Sequence, residues 1–73
     1  MNRLRFAPPR AAARVNVAGA LEGDWARSMG YWWRVTNRRE SDANGMALVD
    51  LESPRGRHVA VYAVHLMEAR REI

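Results

Sequence analysis

Three apolar segments between Tyr31 and Leu66 dominate the hydrophobic pattern of the chain. They cover residues 31–37, 46–51 and 58–66. Each is rich in β-branched or aromatic side chains, which favour a pleated, half-buried surface. Apolar and polar positions alternate along much of each segment, as in a strand that buries one face. The pattern predicts three consecutive antiparallel strands.

Turn signals separate the three segments. Residues 41–45 contain Asn44 and Gly45, and Asn-Gly supplies the positive φ angles that tight hairpins require. Residues 53–57 contain Pro54 and Gly56, which suit successive positions of a turn. Both links therefore predict hairpins, and the three strands form a meander.

The proximal part of the chain predicts weaker elements. Pro8 and Pro9 interrupt regular pairing, and the alternation around Val15 and Val17 predicts a short strand over residues 14–18. Asp24 is placed to cap a helix of barely more than one turn over residues 25–29, ended by Gly30. Residues 66–73 either end the last strand or form a charged tail.

These elements predict an α+β or mostly-β fold. We expect a single small domain over residues 1–73, with an antiparallel sheet of three to four strands and one short helix. Residues 1–10 are expected to form a basic arm that can be flexible.

Alternation also predicts which side chains share a face of the sheet. Tyr31, Trp33 and Val35 share one face of the first strand, and Trp32 lies on the other. The last strand is partly apolar on both faces, and one short helix cannot cover two faces of a sheet. We therefore expect an exposed apolar patch, which usually marks a partner site. The alternative is that the N-terminal segment folds over this patch.

Charge is unevenly distributed. The chain has twelve arginines, no lysine and a net charge of +4. Residues 1–14 carry four arginines and no acid, whereas the remaining eight arginines are balanced by eight acids. The arginine usage reflects either a GC-rich genome or selection for bidentate contacts to phosphate and carboxylate.

Several classes of site and location are disfavoured by composition. The chain has no cysteine, and an odd spacing places His58 and His65 on opposite strand faces, so we expect no metal or cofactor. No apolar run approaches the roughly 20 residues needed to cross a bilayer. The N-terminal arginines are not followed by the apolar region of a secretory signal. A cytoplasmic monomer is expected.

Catalysis is not expected. Asp50 and Glu52 share a strand face and could serve acid–base chemistry, or simply pair with Arg34 across the sheet. No nucleophile–base set or ligand cluster accompanies them. The glycines near Gly19 and Gly56 do not form a phosphate-binding loop.

Two kinds of binding remain. Arginines near aromatic residues could pair phosphates while the aromatic rings stack on bases. The expected basic set is Arg3, Arg5, Arg10, Arg14, Arg55 and Arg57. A protein-binding role accounts for more of the composition, because Trp, Tyr, Arg and Met are enriched at interface hot spots. The expected partner contacts are Leu4, Phe6, Val15 and Val17, with Trp32 or Trp33.

The opening residues 1–9, MNRLRFAPP, together with the lysine-free composition and the size, resemble the small RNA-polymerase-binding transcription regulators of Xanthomonas phages. The resemblance implies binding to host RNA polymerase at the N-terminal region of the β′ subunit, near the β flap. It implies inhibition of promoter recognition and promotion of antitermination, with possible contact to nascent RNA. The alternatives are a phage anti-defence protein, similar to an anti-CRISPR, and a direct nucleic-acid-binding module.

Overall fold

The computed structural model describes residues 6–40 and 46–72. Six strands form one antiparallel sheet: β1 (Ala13–Val15), β2 (Trp25–Ser28), β3 (Tyr31–Arg39), β4 (Leu48–Glu52), β5 (His58–Tyr62) and β6 (Glu68–Arg71). Two short 3₁₀ turns, Val17–Gly19 and Ala63–His65, follow β1 and β5 and contact each other. No helix among the described residues is long and apolar enough to cross a membrane.

The sheet order is β1-β6-β2-β3-β4-β5, so β1 and β5 are the two edges. In a flat sheet these edges would lie roughly 24 Å apart, at about 4.8 Å per strand. Nevertheless Val15 of β1 and Val59 and Val61 of β5 pack against the same buried cluster. The 3₁₀ turns that follow β1 and β5 also contact each other, so the sheet coils around one core.

The inner face of this coiled sheet carries the core. Trp33 and Val35 of β3, Val49 and Leu51 of β4, and Ala69 of β6 are all buried there. Of the face expected to carry Tyr31, Trp33 and Val35, the structure buries Trp33 and Val35, whereas Tyr31 at the start of β3 is exposed. In β4, Val49 and Leu51 face the same core.

The predicted helix over residues 25–29 is wrong. Trp25–Ser28 is a strand that pairs with β3 on one side and with β6 on the other. One helical turn would fix several dihedral angles for very few hydrogen bonds, whereas a central strand gains ladder bonds along both edges. The Asp24 carboxylate does not cap a helix but accepts a hydrogen bond from the Leu21 N–H at 2.8 Å.

Three to four strands was also too low a count, because residues 25–28 and 68–71 form two further strands. The last apolar segment ends as β5 at Tyr62, and residues 68–71, expected either to end that strand or to form a charged tail, make β6 between β1 and β2. The predicted strand over residues 14–18 is shorter, because β1 ends at Val15. Asn16 then accepts a hydrogen bond from the Ala18 N–H at 2.9 Å, which stabilises a 3₁₀ turn.

The predicted turn between β4 and β5 is confirmed. The Ser53 N–H donates to the Arg57 carbonyl at 2.9 Å, and Gly56 adopts a φ of 81°. The Ser53 hydroxyl also accepts hydrogen bonds from the N–H groups of Arg55 and Arg57. The predicted Asn44-Gly45 turn lies outside the described residues.

The turn between β2 and β3 consists of Met29 and Gly30, both with positive φ (54° and 81°). Ser28 pairs with Tyr31 on either side of it, which makes it a two-residue hairpin of the I′ type. A methionine is strained there, whereas asparagine tolerates the conformation. We expect Met29→Asn to raise the free energy of unfolding by about 0.5–1 kcal/mol in urea denaturation.

Met67→Asn is the matched control for this prediction. Met67 is also exposed but has no positive φ, so its replacement is expected to leave stability nearly unchanged. A loss of stability in the Met29→Asn variant would contradict strain at the turn.

Candidate functional site

The outer face of the sheet carries a row of charged and aromatic side chains. Strand register aligns Arg70 of β6 with Trp25 of β2, then with Arg34 of β3 and Glu52 of β4. Paired residues in an antiparallel sheet point to the same face. The side of the sheet opposite the core is therefore polar and aromatic, and it is where binding chemistry is concentrated.

Trp25 anchors the N-terminal segment to this outer face. The Phe6 ring meets it edge-on with centroids 5.1 Å apart, and the Arg34 guanidinium lies 4.3 Å from its ring centroid. Its indole N–H donates to Glu72 at 3.0 Å. With one ring, one cation and one carboxylate around it, Trp25 is nearly covered and serves to fix Phe6 in position.

A groove of about 580 Å³ opens beside Phe6, between the start of β3 and the β4–β5 turn. We call it the aromatic–arginine groove. It is lined by Phe6, Tyr31, Trp32, Trp33, Ser53, Pro54, Arg55 and Arg57. Four aromatic rings and two guanidinium groups thus converge there, and no carboxylate is among the described residues that line it.

The charges of this groove are not neutralised within the described chain. Six arginines form ion pairs with carboxylates elsewhere: Arg14, Arg34, Arg38, Arg39, Arg70 and Arg71. In contrast, Arg55 and Arg57 form none with any residue that the structure describes, and both are exposed. Two cations on a hydrogen-bonded turn are therefore available to an anionic partner.

Trp32 is the aromatic residue with the most informative surroundings. It is half-buried on the outer face, and the Arg27 guanidinium lies 5.6 Å from its ring centroid. Arg27 makes no ion pair with the described residues, so this cation–π contact is its main interaction there.

A second feature lies at the end of the sheet next to the groove. Met29, Tyr31 and Met67 are 55%, 69% and 70% exposed. They are neighbours, because Ser28 pairs with Tyr31 and the Met67 N–H donates to the carbonyl of Arg27 at 2.8 Å. We call these three residues the apolar end patch.

A smaller cavity of about 380 Å³ lies around Asp24 and Arg71, whose opposite charges form an ion pair. Arg71 donates to both carboxylate oxygens of Asp24 at 2.8 Å. Burial raises the pKa of Asp24, but hydrogen bonds from Arg71 and the Leu21 N–H, with nearby positive charge, outweigh it and hold this pKa below its ordinary value. This ion pair ties β6 to the segment before β2, and its role is structural.

Among the described residues, the structure brings together five of those expected in the site and separates the others. The five line the groove: Phe6, Trp32, Trp33, Arg55 and Arg57. Val15 and Val17 pack against the core, which removes them as an open partner surface. Trp33 is 3% exposed and its indole N–H donates to the Ser28 carbonyl at 2.9 Å. Between the two neighbouring tryptophans, Trp32 is the accessible one.

The basic residues expected in the site are divided as well. Arg14 pairs with Glu68 at 3.3 Å, and Arg10 is exposed but is not among the residues that line the groove. Arg3, Leu4 and Arg5 lie outside the described residues. Four residues of the site were not expected from the sequence, since strand pairing and the turn between paired strands set their places: Arg27, Met29, Tyr31 and Met67. Arg27 had one usable signal, its position on the same strand face as Trp25.

Comparison with protein-family models, with curated proteins and with solved structures gave no match. Among the described residues, no group of three histidine or acidic side chains is arranged to hold a metal ion.

Proposed function

We propose that this protein is a phage-type transcription regulator that acts by binding host RNA polymerase in the bacterial cytoplasm. Its contact would be at the N-terminal region of the β′ subunit, near the β flap, where it would inhibit promoter recognition and promote antitermination. The observation that carries the binding role is the apolar end patch. The choice of polymerase as partner is supported by the sequence resemblance.

The end patch combines exposure with backbone strain. Met29 occupies a left-handed position that asparagine or glycine would adopt at lower cost, and its side chain is exposed. Strain of this kind is typical of functional sites. Tyrosine is enriched among interface hot spots, and methionine adapts to irregular partner surfaces. A protein surface is therefore the partner that these three side chains suit.

The acidic residues considered for catalysis are engaged in other contacts. Asp50 accepts a hydrogen bond from Arg39 at 2.7 Å, and Glu52 lies 3.8 Å from the His58 imidazole. Both contacts tie neighbouring strands together across the outer face. They support a structural role for this carboxylate pair, and they favour binding over acid–base chemistry.

The test is binding to purified Xanthomonas RNA polymerase holoenzyme, measured by biolayer interferometry. We expect a Tyr31→Ser, Met67→Ser double variant to bind at least 10-fold more weakly, because about 1.5–3 kcal/mol accompanies burial of each large apolar side chain. Promoter-dependent transcription and readthrough of a terminator should change in parallel. Met29→Asn should weaken binding while stabilising the fold.

Leu21→Ser, Val64→Ser is the matched control. Leu21 and Val64 are also exposed large apolar residues, but they lie outside the end patch. An equal loss of affinity in both double variants would contradict the assignment of the patch. No binding of the unmodified protein to the polymerase would remove the proposed function.

A further inference from the structure

We propose that the aromatic–arginine groove binds single-stranded nucleic acid, with a base stacked on Trp32 and phosphates held by Arg55 and Arg57. This goes beyond the proposed function, because it assigns a second ligand to a site that neighbours the end patch. Only Tyr31 belongs to both.

The ring of Trp32 has the setting of a stacking platform. It is held in strand β3 and partly open to the groove, and Arg27 lies 5.6 Å from its centroid. A guanidinium near an aromatic ring contributes to base binding as well, because both groups present flat faces to a base. Phe6 and Tyr31 add rings along the same groove, whereas Trp33 is buried and contributes only to its wall. Its volume of about 580 Å³ admits unpaired bases rather than a duplex.

The charge of the groove selects an anion. Arg55 and Arg57 lie on a turn closed by hydrogen bonds to Ser53, so their backbone is fixed near the rings. No described residue that lines the groove is acidic. Elsewhere on the described chain, most arginines form ion pairs with carboxylates. Guanidinium groups bind phosphate bidentately. Single-stranded nucleic acid offers both phosphates for the arginines and bases for the aromatic rings. An acidic peptide would pair with the arginines but would leave the rings without a stacking partner.

The experiment measures fluorescence anisotropy of labelled 12-nucleotide oligo-U and oligo-dT with the full chain, from 50 to 200 mM salt. We expect Trp32→Ala to weaken binding about 10-fold or more, and Trp32→Phe to retain most of the affinity, since a ring still stacks. Arg55→Ala, Arg57→Ala should weaken binding and lower the slope of log affinity against log salt by about 1.4, at roughly 0.7 per phosphate contact.

Arg10→Ala provides the matched control, because Arg10 is exposed and unpaired among the described residues but lies outside the groove. We expect it to change affinity less than 2-fold. Comparison of oligo-U with oligo-dT distinguishes RNA from DNA as the source of the strand. Thermal melting by circular dichroism establishes that each variant is folded, and Arg55→Ala, Arg57→Ala tests the site even if a tryptophan variant unfolds.

Three outcomes would overturn the inference: equal affinity for a duplex, an unchanged affinity in the Trp32→Phe and Trp32→Ala variants alike, or equal binding of a poly-glutamate peptide. The two proposals fail separately. Met67 lies outside the groove, so the Met67→Ser variant should still bind the oligonucleotides. If the unmodified protein binds polymerase but no oligonucleotide, this inference alone is removed.

Discussion

Replacing Trp33 by alanine is expected to lower the free energy of unfolding by about 3–5 kcal/mol. The side chain is buried in the core together with Val35 and Leu51, and its indole N–H is bonded to the Ser28 carbonyl. Truncation removes a large apolar surface and leaves a cavity that surrounding strands cannot close. A domain of this size has roughly 4–11 kcal/mol of total stability, so the variant should be partly unfolded at 37 °C.

Trp32→Ala is the control for this prediction. It removes a tryptophan side chain from the preceding position of the same strand, where the side chain lies half-buried on the outer face. Its expected cost is about 1 kcal/mol, because water already contacts the ring. Urea denaturation monitored by far-ultraviolet circular dichroism compares the two without relying on tryptophan fluorescence. Equal losses would mean that the inner and outer faces of β3 have been assigned wrongly.

Replacing Asp24 by asparagine is expected to cost about 2–4 kcal/mol at pH 7. The Asp24 side chain is 3% exposed, and its charge is balanced by Arg71, which is itself 41% exposed. The amide leaves the guanidinium without its bidentate partner and weakens the tie between β6 and the segment before β2. The estimate is below that for a fully buried pair, because solvent screens Arg71.

The Asp24 carboxylate also determines part of the pH dependence of the free energy of unfolding. The pKa of Asp24 is lowered in the folded protein, so its contribution is fully present above the unfolded pKa, about 3.9, and is lost as pH falls through the folded pKa. The stability gap between the unmodified protein and Asp24→Asn should therefore be constant from pH 7 to 5. This gap should narrow below pH 4. Thermal melting of both proteins, from pH 7 to below pH 4, measures it.

Glu72→Gln is the comparison for the pH series. Hydrogen bonds from Trp25 and Arg34 lower the pKa of Glu72, but this carboxylate is half-exposed. We expect a smaller loss of stability with the same direction of pH dependence. If the gap for Asp24→Asn does not narrow in acid, the ion pair with Arg71 contributes nothing to folding.

Local patterns alone determined much of the sheet and some of the site. Alternation predicted that Trp33 and Val35 share one face of their strand, because the side-chain period of a strand is fixed at two, and the structure buries both. Pro54 and Gly56 predicted the turn that now carries Arg55 and Arg57. The residue types around the groove were anticipated as well, since aromatic and arginine side chains suit binding whatever the fold.

Only the tertiary structure decided how these parts meet. Residues 25–28 and 68–71 are strands because each gains hydrogen bonds along two neighbours, and nothing in their own sequence reports those partners. The same pairing packs Val15 against the core, leaves Trp32 accessible and brings Phe6 to a turn nearly fifty residues later in the chain. Local sequence determines the periodicity of a segment, whereas coiling of the sheet determines which distant side chains share a surface.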